Sequence, residues 1–305
     1  MGLGGAWDAP EYGPKEIEAA SAAVEAALSI GITRFDHADI YGRGKSEAVF
    51  GELLARDSGL RGRIQIQSKV GIRLGEAGGL GHYDLSGRAI LDGVAGTLRR
   101  LQTDYLDLLL LHRPDPLLDP AEVGDAVGHL LEDGAIRAIG VSNMSSAQME
   151  ALQDHLPVPL AADQLELSLH HRGFADSVVL VNHEDGAGVS FPHGTLEHCR
   201  RRGIEIQAWS PLAGGRYTGR PTAEATEADR RTSALVAQLA EARGTTPEAI
   251  VLGWLMRHPA GIVPVVGSAN PRRIRACAEA GPVAEAMSRE EWFVLFQTAR
   301  GKRVP

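Results

Sequence analysis

The sequence has few cysteines, few aromatic residues and no long apolar run. Two cysteines, Cys199 and Cys277, are too few for a disulfide framework in a chain of 305 residues, so we expect a reducing, cytoplasmic location. No apolar stretch approaches the roughly 18 residues of a membrane-spanning helix. The N-terminus shows no basic segment followed by an apolar run, so no signal peptide is expected. We therefore expect no membrane association.

The charge balance is one-sided, with 39 acidic against 31 basic residues and a formal net charge of −8. A surface of that sign repels a phosphate backbone, so nucleic-acid binding is not expected. The hydrophobic content of 44% is ample for one large core. Because no linker or change of composition divides the chain, we predict a single domain over residues 1–305. We expect a monomer or a weak homo-oligomer.

Short apolar segments alternate with amphipathic helical segments along the whole chain. Eight strands are predicted, at 1–5, 33–37, 64–70, 106–111, 136–141, 162–167, 204–209 and 262–266. The predicted helices lie at 14–30, 45–60, 87–101, 121–132, 146–156, 195–202, 231–242, 247–258, 271–280 and 289–299. Strands that alternate with helices favour a parallel sheet, and eight of them favour closure. The predicted fold class is therefore α/β, as a single-domain (β/α)8 TIM barrel.

Two long segments without predicted helix or strand, 71–86 and 171–194, each follow the carboxyl end of a strand. Barrel enzymes build their sites on that face. Loops of this length in a compact domain are more often functional than accidental. We expect both to border the site, and we expect the second, which is rich in glycine, to form a lid.

Four polar residues converge on the same face of the predicted barrel. Asp36, Lys69 and His112 end the predicted second, third and fourth strands, and Tyr41 lies in the loop after the second. Taken singly, such an Asp usually caps a helix, such a Lys is usually exposed, and such a His is often a hydrogen-bonded core residue. Taken together at successive strand ends, they indicate a catalytic centre.

The chemistry that suits these four residues is the reduction of a carbonyl group. A phenol with a pKa of about 10 is a poor acid at neutral pH. A nearby ammonium group stabilises the phenolate and lowers that pKa, and a carboxylate keeps the ammonium charged. Lys69 and Asp36 can support Tyr41 in this way, while His112 can donate to the carbonyl oxygen or orient it.

Seven motifs, in matching order and spacing, resemble the aldo-keto reductase superfamily over essentially the whole chain: FDHADIYG (35–42), SK (68–69), LLLLHRPDP (108–116), GVSNM (140–144), DQLELS (163–168), AWSPLAGG (208–215) and GSANPRRI (267–274). Within it, the sequence is most similar to a bacterial branch of NADP-dependent oxidoreductases. The resemblance implies an NADPH-dependent enzyme that reduces an aldehyde or ketone to an alcohol. Its catalytic residues would be Asp36, Tyr41, Lys69 and His112, with Tyr41 as the proton donor to a small-molecule carbonyl substrate.

The same resemblance implies the residues that bind the cofactor. They would contact the nicotinamide amide (Ser142, Asn143, Gln164), the nicotinamide ring (Trp209), the pyrophosphate (Ser210, Leu212, Gly214, Arg216) and the adenosine 2′-phosphate (Gly267, Ser268, Arg273). Gly267 stands where many members carry a lysine, which weakens the preference for NADP(H) over NAD(H) without cancelling it. Cys277 replaces an asparagine that contacts the adenine in many members. No GxGxxG motif supports a Rossmann-type cofactor site.

Three other functions are compatible with some of these residues. Asp36, His37, Asp39 and His112 resemble the ligands of a metal-dependent hydrolase, but successive strand residues point to opposite faces, and no second ligand cluster follows. We therefore expect no metal. Lys69 is also suited to a Schiff-base lyase, although Tyr41 and the cofactor residues disfavour it. A cofactor-sensing regulatory protein with little turnover is the third alternative. The substrate itself is left open.

Overall fold

The computed structural model describes residues 2–7, 9–75, 79–220 and 225–305, and the chain divides into two compact units. The first unit comprises residues 1–163 and 267–271, and the second comprises 164–266 and 272–305. Within the described ranges, no helix is long and apolar enough to cross a membrane. That the chain forms a single domain stays a prediction.

The first part of the chain alternates helices with parallel strands. Its elements are α1 (Pro14–Ser29), β1 (Arg34–Asp36), α2 (Lys45–Arg56), α3 (Leu60–Arg63), β2 (Gln65–Val70), β3 (Ile72–Arg73), β4 (His82–Tyr83), α4 (Gly87–Leu101), β5 (Leu108–Leu111), α5 (Pro120–Glu132), β6 (Ile139–Ser142) and α6 (Ser146–Gln153). β3 and β4 form a small antiparallel hairpin.

The second part continues the alternation. Its elements are β7 (Ala162–Glu166), α7 (Gly173–Val179), a short 3₁₀ helix (Glu184–Gly188), α8 (Thr195–Arg202), β8 (Glu205–Trp209), another 3₁₀ turn (Ala213–Gly215), α9 (Glu227–Arg243), α10 (Pro247–Met256), β9 (Val263–Pro264), α11 (Pro271–Arg275), α12 (Ala280–Ala286) and α13 (Arg289–Arg300). In the second unit the strand order is β7, β8, β9.

The strands of the first unit lie in the order β1, β2, β5, β6, and every neighbouring pair is parallel. The register pairs Asp36 with Gln67, Lys69 with Leu110, and Leu111 with Val141. All four leucines of β5 are buried, as expected of a parallel strand that is covered on both faces. Because the strands are parallel, their carboxyl ends meet at one edge, and that edge carries the four predicted catalytic residues.

Three predicted elements differ from the structure for identifiable reasons. Residues 2–5 form no strand, because Gly4 and Gly5 adopt left-handed φ angles of 88° and 78° that interrupt an extended chain; Met1 lies outside the described residues. The helix predicted at 45–60 ends at Arg56, where Asp57 turns to an extended conformation. The helix predicted at 271–280 ends at Arg275, and a turn separates it from α12.

The two segments predicted as long loops contain regular structure of their own. Residues 71–86, of which 76–78 lie outside the described residues, include the β3–β4 hairpin. Residues 171–194 include α7 and the first 3₁₀ helix. The elements are too short, and the segments too rich in glycine, for the apolar periodicity to reveal them. A lid function for the second segment stays a prediction.

Two glycines one turn apart in α5 make a matched stability test. A methyl group at position 124 would lie 2.3 Å from the carbonyl oxygen of His155, whereas at position 128 it would meet nothing within 4 Å. Gly124→Ala should therefore lower the free energy of unfolding by ~1–3 kcal/mol through overpacking. Gly128→Ala should raise it by ~0.5–1 kcal/mol, because alanine is the better helix former. Urea unfolding measures both; equal changes in the two variants would contradict the packing.

Candidate active site

Lys69 lies fully buried at the centre of the candidate site, with 1% of its surface exposed. Its Nζ donates to both carboxylate oxygens of Asp36 at 2.6 Å, to the backbone oxygen of His37 at 2.9 Å, and to the phenol oxygen of Tyr41 at 3.2 Å. An ammonium group has three N–H donors. Each of them therefore has an acceptor, and Lys69 joins Asp36 to Tyr41.

The backbone after β1 explains why Tyr41 reaches Lys69. The ladder between β1 and β2 continues past the end of β1, since His37 N donates to the oxygen of Gln67 and Asp39 N to the oxygen of Lys69. A turn then closes with Tyr41 N donating to Ala38 O at 3.0 Å. The five-residue step from Asp36 to Tyr41 thus carries the phenol from the strand end back over Lys69.

Burial and charge act in opposite directions on the pKa values of these groups. Burial lowers the pKa of Lys69, but the Asp36 carboxylate and Tyr41 more than offset it, so the pKa is raised and the ammonium stays charged. Burial raises the pKa of Tyr41, and the lowering by Lys69 does not fully compensate. Lys69 thus lowers the pKa of Tyr41, as predicted. The predicted overall lowering of that pKa is wrong, because burial outweighs the effect of Lys69. The phenol keeps its proton at neutral pH.

His112 faces Tyr41 from the end of β5. The two rings are nearly perpendicular, with centroids 6.0 Å apart. Burial lowers the pKa of His112 to about 3, so its imidazole is neutral at physiological pH. Its Nδ1 is buried without a hydrogen-bond partner among the residues that the structure describes. A neutral imidazole donates from one nitrogen only, which suits an uncharged carbonyl oxygen.

Several predicted cofactor residues belong to the first unit. Ser142 is the last residue of β6 and is buried, and Asn143 follows with a left-handed φ of 61° and donates to the Ser142 hydroxyl at 2.7 Å. Gly267 is exposed, and the half-buried Ser268 accepts a hydrogen bond from Asn270 N at 3.1 Å. Ser142 and Asn143 thus present polar side chains at the same strand edge as Lys69.

The remaining predicted cofactor residues belong to the second unit. Gln164 is buried in β7 and donates to Gln207 at 2.9 Å, while Trp209 ends β8 and is half-buried. The turn that follows bends through left-handed φ angles, and it carries Ser210, Leu212 and Gly214. Arg273 is exposed on α11.

Arg216 makes an ion pair in this structure, and its predicted contact with the pyrophosphate stays a prediction. Its Nη1 donates to Asp229 at 2.9 Å, and the neighbouring Tyr217 hydroxyl donates to the other oxygen of the same carboxylate. Asp229 also accepts from the backbone and hydroxyl of Thr226. Arg216 therefore fastens the turn after β8 to the start of α9, a role that the sequence did not suggest.

Gln67 also contacts the site and was not predicted. Its Nε2 donates to Asp36 Oδ1 at 2.5 Å, and the side chain is 1% exposed. A signal did exist, since residues 67 and 69 share a face of β2. A polar side chain two positions before Lys69 in an otherwise buried strand therefore had to face the same polar centre.

Asp39 is a half-buried residue next to the site, and its Oδ1 is buried without a hydrogen-bond partner among the described residues. Burial, and then the neighbouring Glu47, raise its pKa to about 7, although Arg100 and Arg73 oppose this. Within the described ranges, no group of three or more His, Cys, Asp or Glu side chains is arranged to hold a metal ion. Asp39 is thus a group whose ionisation opposes folding near neutral pH.

Replacing Asp39 by asparagine should change how stability depends on pH. A raised pKa in the folded state means that the folded chain holds the proton more tightly between about pH 4 and 7. The contribution of Asp39 to stability therefore falls as pH rises through that range. Asp39→Asn should match wild type near pH 4 and exceed it by ~2–4 kcal/mol at pH 8. Urea unfolding across pH tests this, with the exposed Asp92→Asn on α4 as control; parallel curves for Asp39→Asn and wild type would contradict it.

The alternation of parallel strands and helices, with polar side chains gathered at the strand ends, is that of an α/β enzyme. Residues 1–292 match the model of the aldo/keto reductase family. The chain is 38% identical over 306 residues to the oxidoreductase YcsN of Bacillus subtilis, covering 99% of this chain and 94% of that protein. The chain therefore belongs to the aldo/keto reductase family.

Two further comparisons refine this placement. The chain is 37% identical over 289 residues to a 6-dehydroglucose reductase of Agrobacterium fabrum, covering 93% of this chain and 88% of that protein. A crystal structure of an aldo-keto reductase from Klebsiella pneumoniae in complex with NADPH matches with a TM-score of 0.71 at 26% identity, covering 96% of this chain and 88% of that one.

These comparisons decide several of the sequence-based expectations. The predicted aldo-keto reductase, and with it an oxidoreductase, is confirmed, as is the resemblance to bacterial oxidoreductases. The predicted α/β fold class, the (β/α)8 fold of this family, is confirmed by the match to the solved structure. The roles of individual site residues and the cytoplasmic location stay predictions.

Proposed function

We propose that this protein reduces an aldehyde or ketone with NADPH and that Tyr41 gives the proton to the carbonyl oxygen. The observation that carries the proposal is the chain of contacts from Asp36 through the buried Lys69 to the Tyr41 oxygen, at 2.6 and 3.2 Å. Because the Tyr41 oxygen accepts a hydrogen bond from Lys69, its own O–H is left to donate to another oxygen. The ammonium then stabilises the phenolate that remains.

His112 completes the binding of the carbonyl oxygen in this proposal. As a neutral imidazole it donates one hydrogen bond without releasing a proton. Together with the Tyr41 hydroxyl it provides two donors for one carbonyl oxygen, which favours the transition state, where negative charge develops on that oxygen. His112 thus orients and polarises the carbonyl, while Tyr41 transfers the proton.

The residues present suit a nicotinamide cofactor. Ser142 and Asn143 in the first unit, and Gln164 in the second, carry hydroxyl and amide groups of the kind that bind a nicotinamide amide. Trp209 offers an aromatic face for the ring, and the guanidinium of Arg273 suits a phosphate. When bound, the cofactor supplies the hydride. NADP(H) over NAD(H) is supported by the Klebsiella pneumoniae enzyme, which was crystallised with NADPH.

For the substrate, we propose an aldehyde of a polyhydroxylated small molecule. The support is the relative named 6-dehydroglucose reductase, which is 37% identical over 93% of this chain. The alternative of a cofactor-sensing protein with little turnover has less support, because Asp36, Lys69 and Tyr41 are in contact.

The test is a steady-state assay of NADPH and NADH oxidation with a panel of carbonyl compounds. The panel contains 6-dehydroglucose, simple sugar aldehydes, aryl aldehydes and ketones, and a fluorescence titration gives the Kd of each cofactor. We expect oxidation of NADPH with the sugar aldehydes and a lower Kd for NADPH than for NADH. Tight binding of NADPH without oxidation by any compound would favour the sensing alternative instead.

A further inference from the structure

Gln67 is a buried residue whose side-chain amide donates to the carboxylate of Asp36, which is linked to Tyr41 through Lys69. The parallel register of β1 and β2 pairs Asp36 with Gln67. Gln67 and Lys69 therefore leave β2 on the same face, and both donate to Oδ1 of Asp36, at 2.5 and 2.6 Å. Gln67 is 1% exposed, so water does not compete for this contact.

The amide and the ammonium affect the carboxylate differently. Lys69 donates to both oxygens of Asp36 and also to Tyr41. A more basic Asp36 carboxylate therefore strengthens its own hydrogen bonds with Nζ and weakens the one between Nζ and the phenol. An amide N–H makes the carboxylate a weaker base and adds no charge of its own. A neutral donor that binds Asp36 therefore strengthens the hydrogen bond from Lys69 to the Tyr41 oxygen.

We propose that Gln67 is a positioning residue that holds Asp36 in place and thereby keeps the ammonium of Lys69 on the phenol oxygen of Tyr41. The inference rests on the proposed function of Tyr41 as proton donor. It adds a residue to the polar centre that the family motifs quoted above do not include. A purely structural role for Gln67 would affect stability and leave the acidity of Tyr41 unchanged.

One variant of Gln67 and one matched control separate these roles. Gln67→Met keeps the length of the side chain and removes the donor. Gln65→Met is the control, since Gln65 is an exposed glutamine on the same strand and binds Arg34. We measure kcat and KM for the reduction across pH, with thermal unfolding as a check on folding.

Gln67→Met should lower kcat at neutral pH about tenfold and move the alkaline limb of the profile up by about one pH unit. KM for NADPH and the Gln65→Met profile should stay as in wild type. An unmoved alkaline limb in folded Gln67→Met, whether or not kcat falls, would overturn the inference.

A readout that needs no turnover separates this inference from the proposed function. Carbon-13 NMR of protein labelled at the Cζ of tyrosine identifies the Tyr41 signal by its loss in Tyr41→Phe. In Gln67→Met that signal should move toward the value of a free tyrosine, because the phenol loses part of its hydrogen bond from Lys69. An unchanged signal would refute the positioning role. A shifted signal in a protein that reduces no carbonyl compound would support the positioning role of Gln67 and refute the proposed function.

Discussion

Tyr41→Phe should reduce carbonyl compounds ~10²–10⁴ times more slowly than wild type, which is the usual contribution of one general acid. The substitution removes only the hydroxyl group, so the aromatic contact with His112 and the backbone turn at Ala38 remain. The Kd for NADPH should therefore stay within about twofold of wild type. A fluorescence titration and a stopped-flow measurement of NADPH oxidation give the two quantities separately.

Tyr12→Phe serves as the control, because it makes the same change in a tyrosine outside the contacts of Lys69. It should keep the wild-type rate. A Tyr41→Phe variant that reduced aldehydes at the wild-type rate would remove Tyr41 from the mechanism. The pH profile adds a second check, since the alkaline limb assigned to the Tyr41 phenol should be absent from any residual activity.

Lys69→Met should lose both stability and activity. It leaves the Asp36 carboxylate, 14% exposed, without its cation. Removing one partner of a buried pair costs about 3–5 kcal/mol, because the other charge stays buried and unpaired. Reduction should fall at least ~10²-fold as well, since the phenolate of Tyr41 loses the ammonium that stabilises it.

The double variant Asp36→Leu with Lys69→Met separates these two effects. Apolar side chains of similar volume can replace a buried ion pair with little loss of stability. The double variant should therefore recover most of the free energy of unfolding and remain inactive. Lys302→Met, which breaks an exposed ion pair with Asp185, should cost less than ~1 kcal/mol. A double variant that regained activity would show that the pair serves the fold and not the reaction.

The extent to which the sequence predicts the fold depends on local signals. Helix α4 begins and ends as predicted because Ser86 caps its first turn, and α8 does so because Gly203 ends it in a left-handed conformation. The first predicted strand failed because Gly4 and Gly5 allow conformations that apolar periodicity does not register. The β3–β4 hairpin, with two residues in each strand, is too short to show an alternation.

The contacts between residues at strand ends could be predicted from the sequence, whereas the pKa values, which depend on burial, could not. Asp36 and Lys69 lie at strand ends, and Tyr41 follows Asp36 by five residues. These positions predicted the contacts that the structure shows. The net pKa of Tyr41 was not predictable, because residue identity gives the sign of the Lys69 effect but not the extent of burial. Gln67 was not predicted, although it shares a strand face with Lys69, because its contact with Asp36 depends on the register of two strands that are 31 residues apart in the sequence.

Arg216 shows a second limit of sequence reasoning. Its position in the AWSPLAGGR segment suggests a contact with phosphate, and its ion pair with Asp229 is a further contact that the sequence did not predict. Asp229 lies 13 residues further along the chain, and nothing in the local pattern links the two. Long-range ion pairs of this kind become visible only when the fold brings both partners together.

The most direct test of the central claim follows the hydride itself. The wild-type protein is given NADPH that carries deuterium at C4, in each of the two stereochemical forms, together with an aldehyde that it reduces. We predict that one form only gives an alcohol with a single deuterium on the former carbonyl carbon. Mass spectrometry of the alcohol reads this out. An alcohol without deuterium from both forms, or no oxidation of NADPH with any carbonyl compound, would contradict the account.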